Sequence, residues 1–243
     1  MSHSVRVFPD PEALAQSIAT ILIRDLDRIE ADQFYTVALS GGTTPEYIYR
    51  YLSDNYAQRI SWDKLLVFWG DERCVPPEES ESNYRMAYES LLQNVPIPDV
   101  NVFRIRGEND PVAEAKQYSD LVSSVVPFYN DIPQFDLMLL GLGDDGHTAS
   151  IFPDRPDLLT TLQLFDVAVR PGTHQKRITA TGRLINNSSR IYFIVTGRQK
   201  ASIVSEIIEA KAGSDRYPAS RVSPGSGQLV WLLDSEAAAL IKS

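Results

Sequence analysis

The chain has 243 residues, of which 43% are hydrophobic, and carries a net charge of -9 at pH 7. That length and apolar fraction suit one α/β domain with a sizeable core, spanning residues 1–243. The acidic balance argues against nucleic acid or an anionic membrane as main partner, since both need a basic surface. With one cysteine, Cys74, no internal disulfide can form. The chain opens without a charged-then-apolar leader, and no apolar run is long enough to span a bilayer, so the expected compartment is the cytoplasm.

Val5 to Phe8 reads as a short strand. Asp10 is placed to cap a helix whose first turn takes Pro11. Leu14, Ile18, Ile21, Leu22, Leu26 and Ile29 recur at helical spacing and give that helix a core face. Phe34 to Leu39 is the next strand, and Ser40-Gly-Gly-Thr-Thr-Pro45 turns into a helix through Leu52. Leu65 to Trp69 is a strand ending in Gly70-Asp-Glu-Arg-Cys74. An acidic loop, Pro76 to Glu81, precedes a helix from about Asn83 to Leu92. Asn101 to Arg104 reads as a weak strand and Pro111 to Val126 as a helix.

Leu137 to Leu140 is an unbroken apolar run, the pattern of a strand buried on both faces. After it come Gly141, Gly143 and Gly146, with Asp144 and Asp145 between them, and then His147. Thr148 to Phe152 is expected to start a short helix that Pro153 stops. Phe165 to Val169, Arg177 to Thr181, Arg190 to Val195 and Leu229 to Leu233 are further strands. Between the last two lies a helix with Ile203, Val204, Ile207 and Ile208 on one face, and Ser235 to Ile241 is read as a final helix. Strands and helices alternate almost throughout, so the expected fold is α/β, a Rossmann-like, largely parallel sheet with helices on both faces.

Four strand ends carry unusual residues: Ser40 to Thr44, Gly70 to Arg73, the loop holding His147, and Thr196 to Lys200. In a parallel sheet all four share the edge where such folds bind ligands. Ser40-Gly41-Gly42-Thr43-Thr44 before a helix fits an anion cradle of amides and hydroxyls. A glycine turn with Thr44 as helix cap fits the same residues. Lys200, in the first turn of its helix, opposes the helix dipole unless an anion offsets it, and a phosphate between Gly41–Thr43 and Lys200 would do so. Arg177 offers a second cation or a surface salt bridge. Asp71 and Glu72 suit acid/base work if one raises the pKa of the other, with Arg73 free to bind phosphate; a structural knot of ion pairs is the rival reading.

Gly141-Leu-Gly143-Asp-Asp-Gly146 also matches the dinucleotide fingerprint. Two aspartates facing a pyrophosphate, and Pro153 and Pro156 where a helix should run, argue against it. Cys74 reads as a buried structural thiol. His3 and His174 read as exposed, and three scattered histidines give no metal site.

Taken together, Ser40-Gly-Gly-Thr43, Asp71-Glu-Arg73, Gly141-Leu-Gly-Asp-Asp-Gly-His-Thr-Ala-Ser-Ile-Phe-Pro153, Arg177-Ile-Thr and Val195-Thr-Gly-Arg-Gln-Lys-Ala201 resemble the 6-phosphogluconolactonase family, within the glucosamine-6-phosphate isomerase and deaminase superfamily. The resemblance implies hydrolysis of 6-phospho-D-glucono-1,5-lactone in the oxidative pentose phosphate pathway, with no cofactor and no metal. By it, His147 activates water, Asp145 orients His147, and Gly42, Thr43, Arg73, Arg177 and Lys200 hold the phosphate. Gly41 and Asp71 complete the set of candidate substrate contacts. Imidazole chemistry agrees, since lactone opening needs a base near neutrality, and the glycine amides of the His147 loop are candidate donors to the oxyanion. In the deaminase branch a glutamate follows the histidine by five residues; here that position is Phe152. Arg73 stands where those deaminases carry an aromatic residue. A silent sugar-phosphate sensor is the remaining alternative, and it would have no use for His147 and Asp145. The sequence carries no mark of oligomeric state.

Overall fold

The computed structural model describes residues 4–242; His3 lies outside them. The chain runs β1 (Ser4–Phe8), α1 (Pro11–Leu26), β2 (Tyr35–Leu39), α2 (Thr43–Tyr56), β3 (Leu65–Trp69), β4 (Asp71–Arg73), α3 (Asn83–Ser90) and α4 (Pro111–Val125). It continues with β5 (Phe128–Tyr129), β6 (Ile132–Pro133), β7 (Leu137–Leu140), β8 (Phe165–Val169), β9 (Lys176–Ala180), α5 (Gly182–Ile185), β10 (Arg190–Val195), α6 (Ala201–Ile208) and β11 (Gln228–Asp234).

Six strands form one sheet in the order β1-β11-β10-β7-β2-β3, and every pairing is parallel. The strands that read as unbroken apolar runs sit inside it. All residues of β2, β3 and β7 are buried, as a parallel sheet flanked by helices requires. Phe193 and Trp231 on neighbouring strands stack with ring centroids 4.1 Å apart. Each such side chain contributes roughly 1.5–3 kcal/mol of burial free energy. Helix starts follow their sequence signals: Asp10 accepts from the Ala13 amide at 2.8 Å ahead of Pro11, and Asp110 from the Ala113 amide at 3.0 Å.

The parallel sheet is not the whole architecture. The chain leaves it at Gly70, whose amide bonds Leu39 O at 2.8 Å and whose carbonyl accepts from Ala180 N at 2.7 Å. Beyond Gly70, β4 pairs antiparallel with β9, and β9 with β8, in a separate three-stranded sheet. Strands Phe165–Val169 and Lys176–Ala180 are therefore where the sequence puts them, within a residue, but outside the main sheet. The short hairpin of β5 and β6 and the one-turn α5 carry no clear sequence signal.

Three expected elements are absent among the described residues. The segment 101–104 makes a single bridge, Val67 to Val102, because Tyr118 Oη takes the Phe103 carbonyl at 2.8 Å. Residues 148–152 form no helix; Thr148 and Ile151 bridge across a tight turn in which Ala149 has φ 47°. Residues 235–240 are turns. Asp234 caps the first of them through Ala237 N at 2.7 Å, but seven residues are too few to repay helix nucleation without packing.

Candidate active site

Strands β2, β7 and β10 are neighbours at the centre of the sheet, so the loops leaving their carboxyl ends meet. A cavity of about 200 Å³ opens there, bounded by Ser40–Pro45, Gly141–Gly143, His147, Ala149 and Ile194–Thr196, with Lys200 at one side. Asp71, Arg73 and Arg177 reach it from the antiparallel sheet. Strand β7 thus delivers the central loop to the edge where α/β sheets place ligands.

The cradle is fixed from below by a residue with no sequence signature. Tyr49 Oη accepts from Ser40 N and donates to Ser40 O, both at 3.0 Å, which locks the end of β2. Burial pushes its phenol far above the ordinary range, so it stays a neutral two-way hydrogen bonder. Thr43 and Thr44 begin α2, and amides in a first turn have no partner inside the helix. Thr44 is not the cap: its hydroxyl pairs with Thr196 Oγ1 at 2.7 Å, tying the loop after β2 to the loop after β10. Ser40 Oγ and Arg73 Nε are buried polar atoms without a hydrogen-bond partner among the described residues, and both residues line the cavity. Buried polar groups left unpaired are costly, and both of these belong to residues at the cavity.

The central loop is closed on itself. Gly143 N donates to His147 O at 2.9 Å, Gly146 N to Gly143 O at 3.1 Å, and Thr148 Oγ1 to Gly141 O at 3.0 Å. The Gly143 and Gly146 amides are therefore spent inside the loop and do not point at an oxyanion, contrary to expectation. What the loop fixes instead is the imidazole. Asp145 Oδ1 lies 2.5 Å from His147 Nδ1 and accepts from the His147 amide at 3.1 Å. An acceptor at Nδ1 selects the tautomer that leaves Nε2 with its lone pair. Partial burial works against the Asp145 charge, but the hydrogen bond and charge of His147 outweigh it and hold the carboxyl down at about 2. Gly143 packs flat against the ring: a Cβ there would sit 2.0 Å from Nδ1. Phe152, fully buried, lies 4.8 Å from the His147 ring centre to centre and 5.6 Å from the Arg177 guanidinium carbon. Phe152 therefore sets an apolar ring beside the imidazole.

Arg73 and Arg177 are directly opposed residues of β4 and β9. Arg177 is 4% exposed and donates to Gln175 Oε1 at 3.2 Å and Ser150 Oγ at 3.4 Å. Its burial lowers its pKa, opposed by the Asp71 carboxylate. Asp71, itself buried, accepts from Ser150 Oγ at 2.6 Å and from Asn83 Nδ2 at 3.4 Å, while Asn83 Nδ2 also donates to Asp71 O at 2.9 Å. Glu72 points the other way. It accepts from Arg73 N, Asn83 N, Tyr84 N and Ser82 Oγ at 2.7 to 3.0 Å, so it is the anionic cap of α3. Burial raises its pKa and those four donors oppose the rise. The Asp-Glu pair therefore divides: Asp71 faces the cavity and Glu72 builds the fold.

Lys200 reaches the cavity from the turn before α6, and its ammonium is paired with Asp144. The anion that offsets the lysine at this helix start is supplied by the chain itself. All the sequence candidates thus converge: Gly41, Gly42, Thr43, Asp71, Arg73, His147, Arg177 and Lys200 line the cavity, with Asp145 behind His147. Asn83, Ser150 and Tyr49 were not legible, because each is an ordinary polar side chain whose partner is set by tertiary packing: Asp71 for the first two and Ser40 for the third. Cys74 is half-buried, and burial pushes its thiol up to about 11, consistent with a structural side chain. His174 is exposed.

A family model described as Glucosamine-6-phosphate isomerases/6-phosphogluconolactonase matches residues 9–231. A 6-phosphogluconolactonase of Treponema pallidum is 41% identical over 194 residues, 79% of this chain and 80% of that one. A 6-phosphogluconolactonase of Nostoc sp. is 37% identical over 245 residues, 98% of both chains. The crystal structure of 6-phosphogluconolactonase from Leishmania guyanensis superposes with a TM-score of 0.87 at 25% identity, covering 100% of each chain.

Proposed function

We propose that this chain, which belongs to the glucosamine-6-phosphate isomerase/6-phosphogluconolactonase family, hydrolyses 6-phospho-D-glucono-1,5-lactone to 6-phospho-D-gluconate in the oxidative pentose phosphate pathway. The observation that carries this reading is the shared cavity: an imidazole oriented by a carboxylate at one side, and Arg73, Arg177, Lys200 and the start of α2 around the rest. His147 Nε2 takes a proton from water as the water oxygen bonds to C1 of the lactone. The tetrahedral intermediate collapses, the bond from C1 to the ring oxygen breaks, and the imidazolium returns its proton to that oxygen. The products are a free 5-hydroxyl and a C1 carboxyl group, which then ionises. Asp145 keeps Nδ1 protonated throughout and offsets the imidazolium charge. The Gly41–Thr43 turn, Arg73, Arg177 and Lys200 hold the phosphate, and Asp71 contacts the sugar.

The aldose-ketose and deamination chemistry of the family's other branch needs a second proton-transfer group beside the histidine. Phe152 fills that place here. A binding-only role would leave the His147–Asp145 pair without purpose. The test is the His147→Ala variant, assayed against the protein-free rate because the lactone also opens unaided. A folded variant that loses about 10²- to 10⁴-fold in kcat/KM supports the reading. Near-parental turnover in a folded variant removes His147 from the mechanism, and rapid ammonia release from glucosamine 6-phosphate would place the chain in the other branch. A cytoplasmic location belongs to the same proposal; fractionation of cells against a cytosolic marker checks it.

A further inference from the structure

The Lys200–Asp144 pair has a role that the reaction above does not use. The Asp144 carboxylate is 89% exposed, while the Lys200 side chain is 18% exposed and lines the cavity. Among the described residues Lys200 is the only partner of that carboxylate. The neighbouring Asp145, by contrast, is held twice by His147. Asp144 also rides on a loop whose backbone is fixed by the Gly143–His147 and Thr148–Gly141 bonds, so its side chain can turn to solvent with no backbone movement. An ion pair with one partner this exposed is weak, and exchanging it costs little.

We propose that Asp144 is an internal competitor for the phosphate: its carboxylate and the ligand's phosphoryl group contend for the same Lys200 ammonium. The inference rests on the sugar-phosphate reading of the cavity. Asp144 lowers the affinity for phosphoanions, product included, and by retaking Lys200 it helps the anion leave. Any anion that wins must outbid a carboxylate, which favours a dianionic phosphoester over singly charged ligands.

The measurement is inorganic phosphate binding to the intact chain by titration calorimetry, without turnover. Asp144→Asn removes both a competitor and a like charge beside the anion, so the phosphate Kd falls roughly three- to tenfold at low salt, with the gap narrowing as salt rises. In a Lys200→Met background the competition is gone and only the relief of like charge remains, so the same substitution gives a clearly smaller gain on whatever phosphate binding remains. An Asp144→Asn variant that binds phosphate equally or more weakly overturns the inference, because Asp144 would then serve to pre-position Lys200. So does an undiminished gain in the Lys200→Met background. A parent protein that binds no phosphate defeats the underlying reading together with this one. Phosphate binding that behaves as expected without lactone hydrolysis defeats the lactonase reading alone.

Discussion

Substituting Gly143 by alanine tests whether the imidazole's position, and not merely its presence, carries the chemistry. A Cβ at Gly143 would lie 2.0 Å from His147 Nδ1 and 2.2 Å from Cε1, against the 3.4 Å at which ordinary contact begins. The loop backbone is held by the Gly143–His147 and Gly146–Gly143 bonds, so the ring is the part that yields. It must retreat about 1.4 Å, the difference between the two distances, and leave its 2.5 Å contact with Asp145. Misplacement by ~1 Å costs about a hundredfold in rate. The expected fall in kcat/KM is therefore about 10²-fold, equivalent to about 2.7 kcal/mol of transition-state stabilisation. The assay is lactone hydrolysis corrected for the protein-free rate, beside a thermal melt to establish folding. In parallel, the Asp145 carboxyl, read by NMR titration, should rise from about 2 toward the usual carboxylate range as its partner moves off. A folded Gly143→Ala variant with parental kcat/KM and an unmoved Asp145 titration would refute the argument.

Two further predictions follow from the same geometry. The folded-state pKa of Asp145 is depressed, so its pairing with His147 contributes stability that is present above roughly pH 4 and is lost as pH falls through about 2. Asp145→Asn should flatten the melting-temperature profile over that acid range, by a small amount because the carboxylate is 47% exposed. Gly41→Ala drives a Cβ to within 1.8 Å of Asn83 Oδ1 and displaces the amide from Asp71. The variant should lose about 1–3 kcal/mol in denaturant unfolding, and Asn83→Ala in the same chain should recover part of that loss by removing the clash.

What the sequence made legible follows from where the information is stored. Leu137 to Leu140 and Arg190 to Val195 read as central strands because burial on both faces leaves an unbroken apolar run. His147, Lys200 and the Ser40–Thr44 turn were legible because glycine, charge and strand ends coincide there. The direction of pairing was not. Phe165–Val169 and Lys176–Ala180 look like any other strands, and nothing local states that they pair antiparallel with each other and with β4. Asp71 and Glu72 are adjacent and alike in the chain, yet opposite pleats send one to the cavity and the other under α3. Ser150 meets Asp71 across 79 positions. Tyr49 carries no local mark of its role, which is to clasp Ser40 through its hydroxyl.

The cavity's cations come from two separately hydrogen-bonded sheets: Lys200 follows a strand of the six-stranded parallel layer, whereas Arg73 and Arg177 belong to the three-stranded antiparallel one. A phosphoryl group engaging all three becomes a cross-brace over the seam between them. Its binding energy then adds directly to the cohesion of the two layers. On the proposed reading, thermal resistance and occupancy would be joined in one place, and the molecule would be most tightly knit with the anion bound.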